Sequence, residues 1–374
     1  MATPFVTLRG HRDSVNALLC EDAVRPHVLA SGSDDGTARL WDVRTVRAVR
    51  SMNIRKALGL EGDPDAADAD DGAVNALAFD ATGDLLHAAA GNKVLTFDLR
   101  QDALVFAHAS RELLQANADE VNALARHGGR GGRFLAAPDD AGDVRVYDMD
   151  AHRLFKTLSG HHRNICSAAV FRPHAPWDLV SGGLDGFVLF WDFSRGRMKC
   201  KLDLSGGVNE LGGPGDAEAS TAESNATSRL FNPPLVHALA FAPNGRSFAA
   251  GLGDASVAVV DFHAKRVVRR LERHRAAVSQ VHFPAFRADD WLLSCGNDAK
   301  VCVWDYERAL RTPSHSPPPP RRETDGDNEG NVANADLVDE FAVQRGPNAI
   351  TTSLHQNLVW VADVSRVISA YPVL

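Results

Sequence analysis

The sequence predicts an all-β fold in which seven small sheets, each of four strands, form a closed ring. One observation is a recurring run of apolar and aromatic residues that ends in Asp and returns after 44 residues at the shortest. Another is that short apolar strands alternate with polar turns, in a chain of 374 residues with 30 Gly and 18 Pro. A period near 44 residues is typical of a β-propeller blade. One repeat array over residues 1–374 therefore accounts for the length.

Seven closing positions mark the predicted blades. Six are the Asp of runs such as LWDVR and FWDFS, and the last run has Tyr371-Pro372 instead. Residues 346–374 supply three strands, so Phe5 to Leu8 should complete the last blade as its outer strand and close the ring. The closing positions are Asp42, Asp98, Asp148, Asp192, Asp261, Asp305 and Pro372.

Three blades share a stricter frame, in which His is followed by Ser at +20, Asp at +24 and Trp at +30. These residue types also occur in hydrolase triads. Recurrence at identical spacing instead indicates a structural hydrogen-bond network, because nucleophilic catalysis needs one exposed serine with an oxyanion hole. The predicted network residues are His11, Ser31, Asp35 and Trp41; His161, Ser181, Asp185 and Trp191; and His274, Ser294, Asp298 and Trp304.

This frame resembles the WD40 repeat family, in which a Gly-His pair opens a unit and Trp-Asp closes it. Gly10-His11 and Gly160-His161 are such pairs, and the resemblance covers nearly the whole chain. It implies a seven-bladed WD40 β-propeller closed by the N-terminal strand. It also implies a protein-interaction scaffold that is not an enzyme and needs no cofactor.

The first two blades end in Asp-x-Arg, with Asp42 and Arg44 in one and Asp98 and Arg100 in the other. Side chains two positions apart in a strand point the same way. Each Arg could pair only with the Asp of its own blade, or the pair could contact a partner surface.

WDxR on neighbouring blades resembles the substrate receptors of cullin-4 RING ubiquitin ligases. In those receptors the Arg contacts the damaged-DNA-binding adaptor protein. The resemblance therefore implies that Asp42, Arg44, Asp98 and Arg100 bind the adaptor, while another surface binds a protein substrate that the sequence does not name. The alternative is a general peptide-reading or assembly scaffold in a chromatin or RNA-processing complex.

Composition excludes several other classes. A net charge of −8 argues against direct nucleic-acid binding, and no apolar run is long enough to span a membrane. Five scattered Cys without ligand spacing favour a reduced, intracellular protein of the nucleus or cytoplasm, and predict no metal site. The segment 126–133, RHGGRGGR, is either a flexible turn or an RNA-binding element.

Three polar insertions interrupt the array and are expected to be disordered or loosely packed. They span 53–72, 204–231 and 309–337. The last one follows Asp305 and should leave from the opposite face to the other two, unless its first residues form the outer strand of blade six. It contains Thr312-Pro313 and Ser316-Pro317, which are candidate proline-directed phosphorylation sites.

Overall fold

A computed structural model describes residues 2–60, 72–112, 117–205, 232–311 and 336–373. Within those ranges the strands form seven sheets, so the predicted seven-bladed β-propeller is confirmed. Strands a to d of each blade run from the centre of the ring to its rim. The candidate phosphorylation sites at 312–317 lie outside the described residues.

The first three blades contain strands β2 to β14. In blade one they are β2 (Val15–Cys20), β3 (Val28–Ser33), β4 (Thr37–Asp42) and β5 (Arg47–Asn53). In blade two they are β6 (Ala76–Phe79), β7 (Leu85–Ala90), β8 (Lys93–Asp98) and β10 (Arg111–Glu112), with β9 (Val105–Phe106) joining the edge of blade one instead. In blade three they are β11 (Ala125–Arg126), β12 (Phe134–Pro138), β13 (Val144–Asp148) and β14 (Arg153–Leu158).

The next three blades follow the same order. Blade four has β15 (Cys166–Phe171), β16 (Asp178–Gly183), β17 (Phe187–Asp192) and β18 (Arg197–Asp203). Blade five has β19 (Val236–Phe241), β20 (Ser247–Leu252), β21 (Ser256–Asp261) and β22 (Arg266–Glu272). Blade six has β23 (Val278–His282), β24 (Trp291–Gly296), β25 (Lys300–Asp305) and β26 (Leu337–Ala342).

Blade seven closes the ring with strands from both ends of the chain. Its inner strands are β27 (Pro347–Ser353), β28 (Leu358–Asp363) and β29 (Val367–Pro372), and its outer strand is β1 (Val6–Arg9). The register pairs Val6 with Ala370 and Arg9 with Val367. The predicted closure is therefore confirmed, and the outer strand begins and ends one residue later than the predicted Phe5 to Leu8. Closure leaves no unpaired edge between the first and last blades.

The core lies between neighbouring blades, because each sheet buries both of its faces. Ala30, Leu40 and Met52 of blade one, for example, pack against Leu86 and Phe97 of blade two. Close approach is needed at Gly32, where a Cβ atom would lie 2.5 Å from the side chain of Val74. Gly182 and Val236 repeat this contact between blades four and five, so glycine at this strand position lets adjacent blades pack tightly.

The two ends of the ring carry different turns, and we name them after the residues placed there. The turns from strand a to b and from c to d lie on one end, called the Arg face because Arg44 and Arg100 follow strand c. The turns from b to c and from d to a lie on the other, called the His face because His11 and His274 precede strand a.

The insertions begin with ordered residues, so their predicted boundaries were too wide. After β5, Asn53 caps the short helix α1 (Ile54–Ala57), and Ile54 is fully buried. Blade six uses β26 as its outer strand, so its insertion leaves from the Arg face, where it starts as helix α2 (Tyr306–Arg311). Residues 61–71, 206–231 and 312–335 lie outside the described residues. No helix in the described ranges is both long and apolar enough to cross a bilayer.

Candidate functional site

Arg44 and Asp42 form a two-pronged ion pair where strand c of blade one reaches the Arg face. The Arg44 guanidinium donates from Nε to Asp42 Oδ1 at 3.2 Å and from Nη2 to Oδ2 at 3.0 Å. The Arg44 backbone N–H also donates to Asp42 Oδ1, at 2.9 Å. These hydrogen bonds lower the pKa of Asp42 to about 2. The pair therefore stays ionised, and the backbone turn fixes its orientation.

Blade two repeats this geometry with Arg100 and Asp98. The two side-chain hydrogen bonds are 2.9 and 2.7 Å long, and the backbone bond is 3.0 Å long. The Arg side chains are 62% and 65% exposed in blades one and two, and the Asp side chains 18% and 19%. Two neighbouring blades thus present matched, solvent-facing guanidinium groups on one face.

In later blades the closing Asp has other hydrogen-bond partners. In blade three, Asp148 pairs with Arg133, which precedes strand b, at 2.9 and 2.5 Å. In blade four, Asp192 accepts a hydrogen bond of 2.6 Å from Ser194. The Asp-x-Arg pair of the first two blades is therefore a local departure from the repeat.

A segment that the repeat pattern does not predict links the two Arg pairs. After Arg100 the chain crosses to blade one, where β9 pairs with β5 in parallel and Ser51 N–H donates to the Leu104 carbonyl at 2.9 Å. Phe106 enters the core between the two blades and is only 4% exposed. Arg50 of blade one lies over its ring and also hydrogen-bonds the backbone carbonyl of Leu99. These contacts fix the spacing between the two Arg pairs.

The same segment exposes apolar side chains at the outer edge of blade one. Leu104 is 77% exposed and Val105 is 65% exposed. Exposed apolar side chains at a sheet edge favour contact with another protein.

A cavity of about 630 Å³ opens on the Arg face between blades two and three. Leu85, Leu135 and Met149 supply apolar lining, while Arg111 and His152 meet at its mouth, 2.8 Å apart. An apolar side chain of a partner would fit such a cavity.

The His–Ser–Asp–Trp residues meet in buried networks close to the His face. In blade one, the His11 ring lies 3.0 Å from Asp35 through Nδ1 and 2.7 Å from the Ser31 hydroxyl through Nε2. Trp41 Nε1 donates to the same hydroxyl at 2.8 Å. The network of blade six has the same contacts, with distances of 3.0, 2.8 and 2.8 Å, and is formed by His274, Asp298, Ser294 and Trp304.

The network of blade four requires a correction. The spacing predicts His161, but His162 contacts Asp185 at 3.1 Å and Ser181 at 2.9 Å, while Trp191 donates to Ser181 at 2.9 Å. His162 precedes strand a by four residues, as His11 and His274 do, but strand b of blade four begins one residue sooner after strand a, so the spacing from Ser181 points one residue too early. His161 is exposed and lies edge-on to the ring of Trp191 at 5.2 Å.

Blade three carries a fourth network that the residue types did not reveal. The Tyr147 hydroxyl donates to Asn117 Oδ1 at 2.8 Å, and Asn117 Nδ2 donates to Asp139 at 2.9 Å. Asn117 and Tyr147 are 30 residues apart, as are His11 and Trp41 of blade one and His274 and Trp304 of blade six. The 30-residue spacing could therefore have indicated this network. It was missed because Asn117 and Tyr147 take the places of His and Trp.

The networks are structural and not nucleophilic. Ser31, Ser181 and Ser294 have no exposed surface, so a substrate cannot reach these hydroxyl groups. All five cysteines are free thiols, and burial raises the pKa of both Cys20 and Cys295 to about 12. Thiols in this state are poor nucleophiles.

The central channel, with a volume of about 460 Å³, is lined by strand a of every blade and carries a polar ring. Several members hydrogen-bond the backbone of the next blade: Asn122 donates to Cys166 O at 3.1 Å, and Ser279 to Pro347 O at 2.7 Å. Across the closure, Asn348 donates to Val15 O at 3.1 Å. The repeated VNAL sequence was the signal for this ring. Its members are Asn16, Asn75, Asn122, Ser167, His237, Ser279 and Asn348.

Three similarities to known proteins agree with this architecture. The family model "WD domain, G-beta repeat" matches residues 2–42, 152–192 and 265–305. The chain is 27% identical over 366 residues to the WD repeat-containing protein 53 homolog of Dictyostelium discoideum, covering 96% of this chain and 91% of that protein. It is 28% identical over 191 residues to the WD repeat-containing protein ATCSA-1 of Arabidopsis thaliana, covering 48% and 41%.

Among solved structures, the WD40 β-propeller domain of Doa1 superposes with a TM-score of 0.67. The match covers 98% of this chain and 95% of that domain at 16% sequence identity. At 16% identity this similarity supports only the fold.

Proposed function

Since this chain is a WD40-repeat β-propeller and thus a protein-interaction scaffold, we propose that it is a substrate receptor of a cullin-4 RING ubiquitin ligase. In this proposal the Arg face docks on the damaged-DNA-binding adaptor of the ligase, and a different surface holds the protein substrate. The propeller itself carries out no covalent chemistry.

The matched pairs Asp42–Arg44 and Asp98–Arg100 are the observation that carries the proposal. An Arg side chain has five N–H donors, and each pair uses two of them internally. The other three point to solvent on a guanidinium that its Asp already orients, so little conformational entropy is lost when a partner binds. The pattern is similar to the adaptor-contacting WDxR of cullin-4 receptors.

Two further features support a protein interface. The cavity between blades two and three opens on the Arg face and can accept an anchoring side chain. Leu104 and Val105 add exposed apolar area at the outer edge of blade one. The His face and the central channel remain available for a substrate. A receptor with its two partners on opposite ends of the ring would hold the substrate at a fixed distance from the ligase.

Co-purification with the adaptor tests the proposal. We expect the double variant Arg44→Ala, Arg100→Ala to lose most adaptor binding while its circular dichroism and thermal midpoint stay unchanged. Arg195→Ala is the matched control, because Arg195 is 78% exposed in the c–d turn of blade four but lies outside the pairs. Undiminished adaptor binding by the folded double variant would refute the docking surface.

A general peptide-reading or assembly scaffold, in a chromatin or RNA-processing complex, is the second candidate. The polar central channel favours it, since its Asn, Ser and His side chains could bind an extended peptide. Proximity labelling separates the two candidates. Stable complexes that lack both cullin and adaptor would favour the general scaffold.

A further inference from the structure

We propose that Asp22, His27 and His355 form a zinc-binding site that joins blade one to blade seven. This inference is independent of the proposed function. Asp22 and His27 lie in the a–b connection of blade one, and His355 lies in the a–b turn of blade seven, so all three meet on the Arg face. No local spacing motif predicts the site, because His355 lies more than 300 residues after Asp22 and His27.

The three side chains are already gathered around one point. One potential ligand atom from each lies within 4.8 Å of those of the other two, and the two imidazole rings are 4.7 Å apart between centroids. Tetrahedral zinc with ligand bonds of about 2.0–2.1 Å needs donor atoms roughly 3.3 Å apart. His355 is exposed, so rotation of its side chain can close the difference.

His27 has a buried ring nitrogen with nothing to bind among the described residues. Its Nδ1 atom is inaccessible to solvent and makes no hydrogen bond. Buried polar atoms are rarely left unpaired, because the unmade hydrogen bond costs about 1–3 kcal/mol. A metal ion would satisfy this nitrogen.

Backbone hydrogen bonds fix the position of His27 in its loop. His27 has a positive φ of 62°, which is uncommon for a residue with a side chain. Its N–H donates to Asp22 Oδ1 at 3.0 Å, and its carbonyl accepts from Val43 N–H at 3.1 Å. An unpaired ring held in a strained loop is typical of a ligand that is positioned before its ion binds.

The Asp22 carboxylate is oriented from the other blade. Its Oδ2 atom accepts hydrogen bonds from the Ser353 hydroxyl at 3.1 Å and from the Leu354 N–H at 2.5 Å. Metal-binding carboxylates are commonly hydrogen-bonded in this way, and Oδ1, which among the described residues accepts only from the His27 N–H, keeps a lone pair for the ion. The site therefore already links the two blades through its acidic ligand.

The donor set favours zinc over calcium and magnesium. Two imidazole nitrogens and one carboxylate oxygen suit zinc, whereas calcium and magnesium prefer oxygen ligands alone. Water from the solvent side would complete four-fold coordination. Bound zinc would tie His355 to blade one and so reinforce the interface at which the ring closes.

Zinc titration of the chelator-treated full chain tests the site. At pH 7.5 we expect one zinc ion to bind by calorimetry and the thermal midpoint to rise by a few degrees relative to the chelated protein. His355→Ala should weaken zinc binding about tenfold or more and remove the rise, with no change in the chelated protein. His27→Asn should do the same, and its side chain keeps a favourable positive-φ residue in the turn.

The matched control is His174→Ala. His174 follows an Arg-Pro pair in the a–b connection of blade four, as His27 does in blade one, and has a φ of 60°. It does not belong to the His–His–Asp group, so this variant should bind zinc like the parent. The proposal fails if the parent shows no zinc-dependent stabilisation, or if His355→Ala and His27→Asn respond to zinc as the parent does.

Discussion

His162 Nε2 and Ser181 Oγ are joined by a hydrogen bond of 2.9 Å in the interior of blade four. The same hydroxyl accepts from Trp191, and the same imidazole contacts Asp185, so the four side chains form one chain of hydrogen bonds. Burial lowers the pKa of His162, although Asp185 opposes that shift. The His162 ring is therefore the central link of this network.

Replacing His162 should cost far more stability than replacing its neighbour. His162→Ala removes one hydrogen-bond partner from the buried Ser181 hydroxyl and one from the Asp185 carboxylate, and leaves a cavity, so we expect a loss of about 2–4 kcal/mol in the free energy of unfolding. His161→Ala should cost under about 1 kcal/mol, since His161 is exposed. Urea denaturation of both variants measures the difference. Equal losses would show that His161 shares the structural role.

Trp191→Ala should destabilise the protein by about 3–5 kcal/mol, because it removes a large ring that is 2% exposed and leaves the Ser181 hydroxyl without its donor. Arg44→Ala should change the free energy of unfolding by less than about 1 kcal/mol, since exposed ion pairs contribute little. Chemical denaturation compares the two. Comparable losses would make Arg44 a structural residue and weaken the docking proposal.

Phe106→Ala should release β9 from blade one. Phe106 packs edge-on against Phe97 at 6.4 Å, and its removal should cost about 3 kcal/mol. The amide hydrogen of Ser51 should also exchange faster, because it donates to Leu104 O in the parent. Leu104→Ala is the control, as Leu104 is exposed. Unchanged exchange at Ser51 in Phe106→Ala would show that β9 is held by other contacts.

His87 should make stability depend on pH. It lines the cavity between blades two and three, and burial lowers its pKa to about 4, against about 6.5 in the unfolded chain. Between these values the unfolded chain binds the proton and the folded chain does not. Stability is therefore complete above about pH 6.5 and falls as the pH drops to 4, by up to about 3 kcal/mol.

His87→Gln should consequently lose less stability than the parent between pH 7.5 and 4.5. Denaturation at several pH values across this interval tests the expectation. His152→Gln is the control for removing a histidine from the same cavity, because His152 is exposed. A parallel decline of parent and His87→Gln would show that His87 does not titrate as described.

The fold could be predicted from the sequence because a blade buried on both faces imposes an apolar pattern and a nearly constant length. The network of blade four could be predicted only to within one residue, since adjacent histidines can exchange places when a loop shortens. Strand β9 could not be predicted. It consists of two residues held by backbone hydrogen bonds to another blade, and neither periodicity nor residue type records such a contact.

The candidate sites also divide into those that the sequence could predict and those that it could not. The Asp-x-Arg pairs are local in sequence, so the two-residue spacing was sufficient to place Arg44 near Asp42, although the contact forms in the c–d turn, where the Arg44 N–H donates to Asp42, and not along a strand. The cavity at His87 depends on how blades two and three pack, which no local spacing records. The His27–His355 group joins blade one to blade seven and arises only after the ring has closed.

The pairing of Val6 with Ala370 also constrains synthesis of the protein on the ribosome. The strand β1 emerges first and must wait for β29, which lies more than 350 residues further along the chain. At 5–20 residues per second this delay lasts roughly 20–70 s. Blades one to six can assemble during translation, whereas blade seven, and with it the meeting of His355 and His27, must form last.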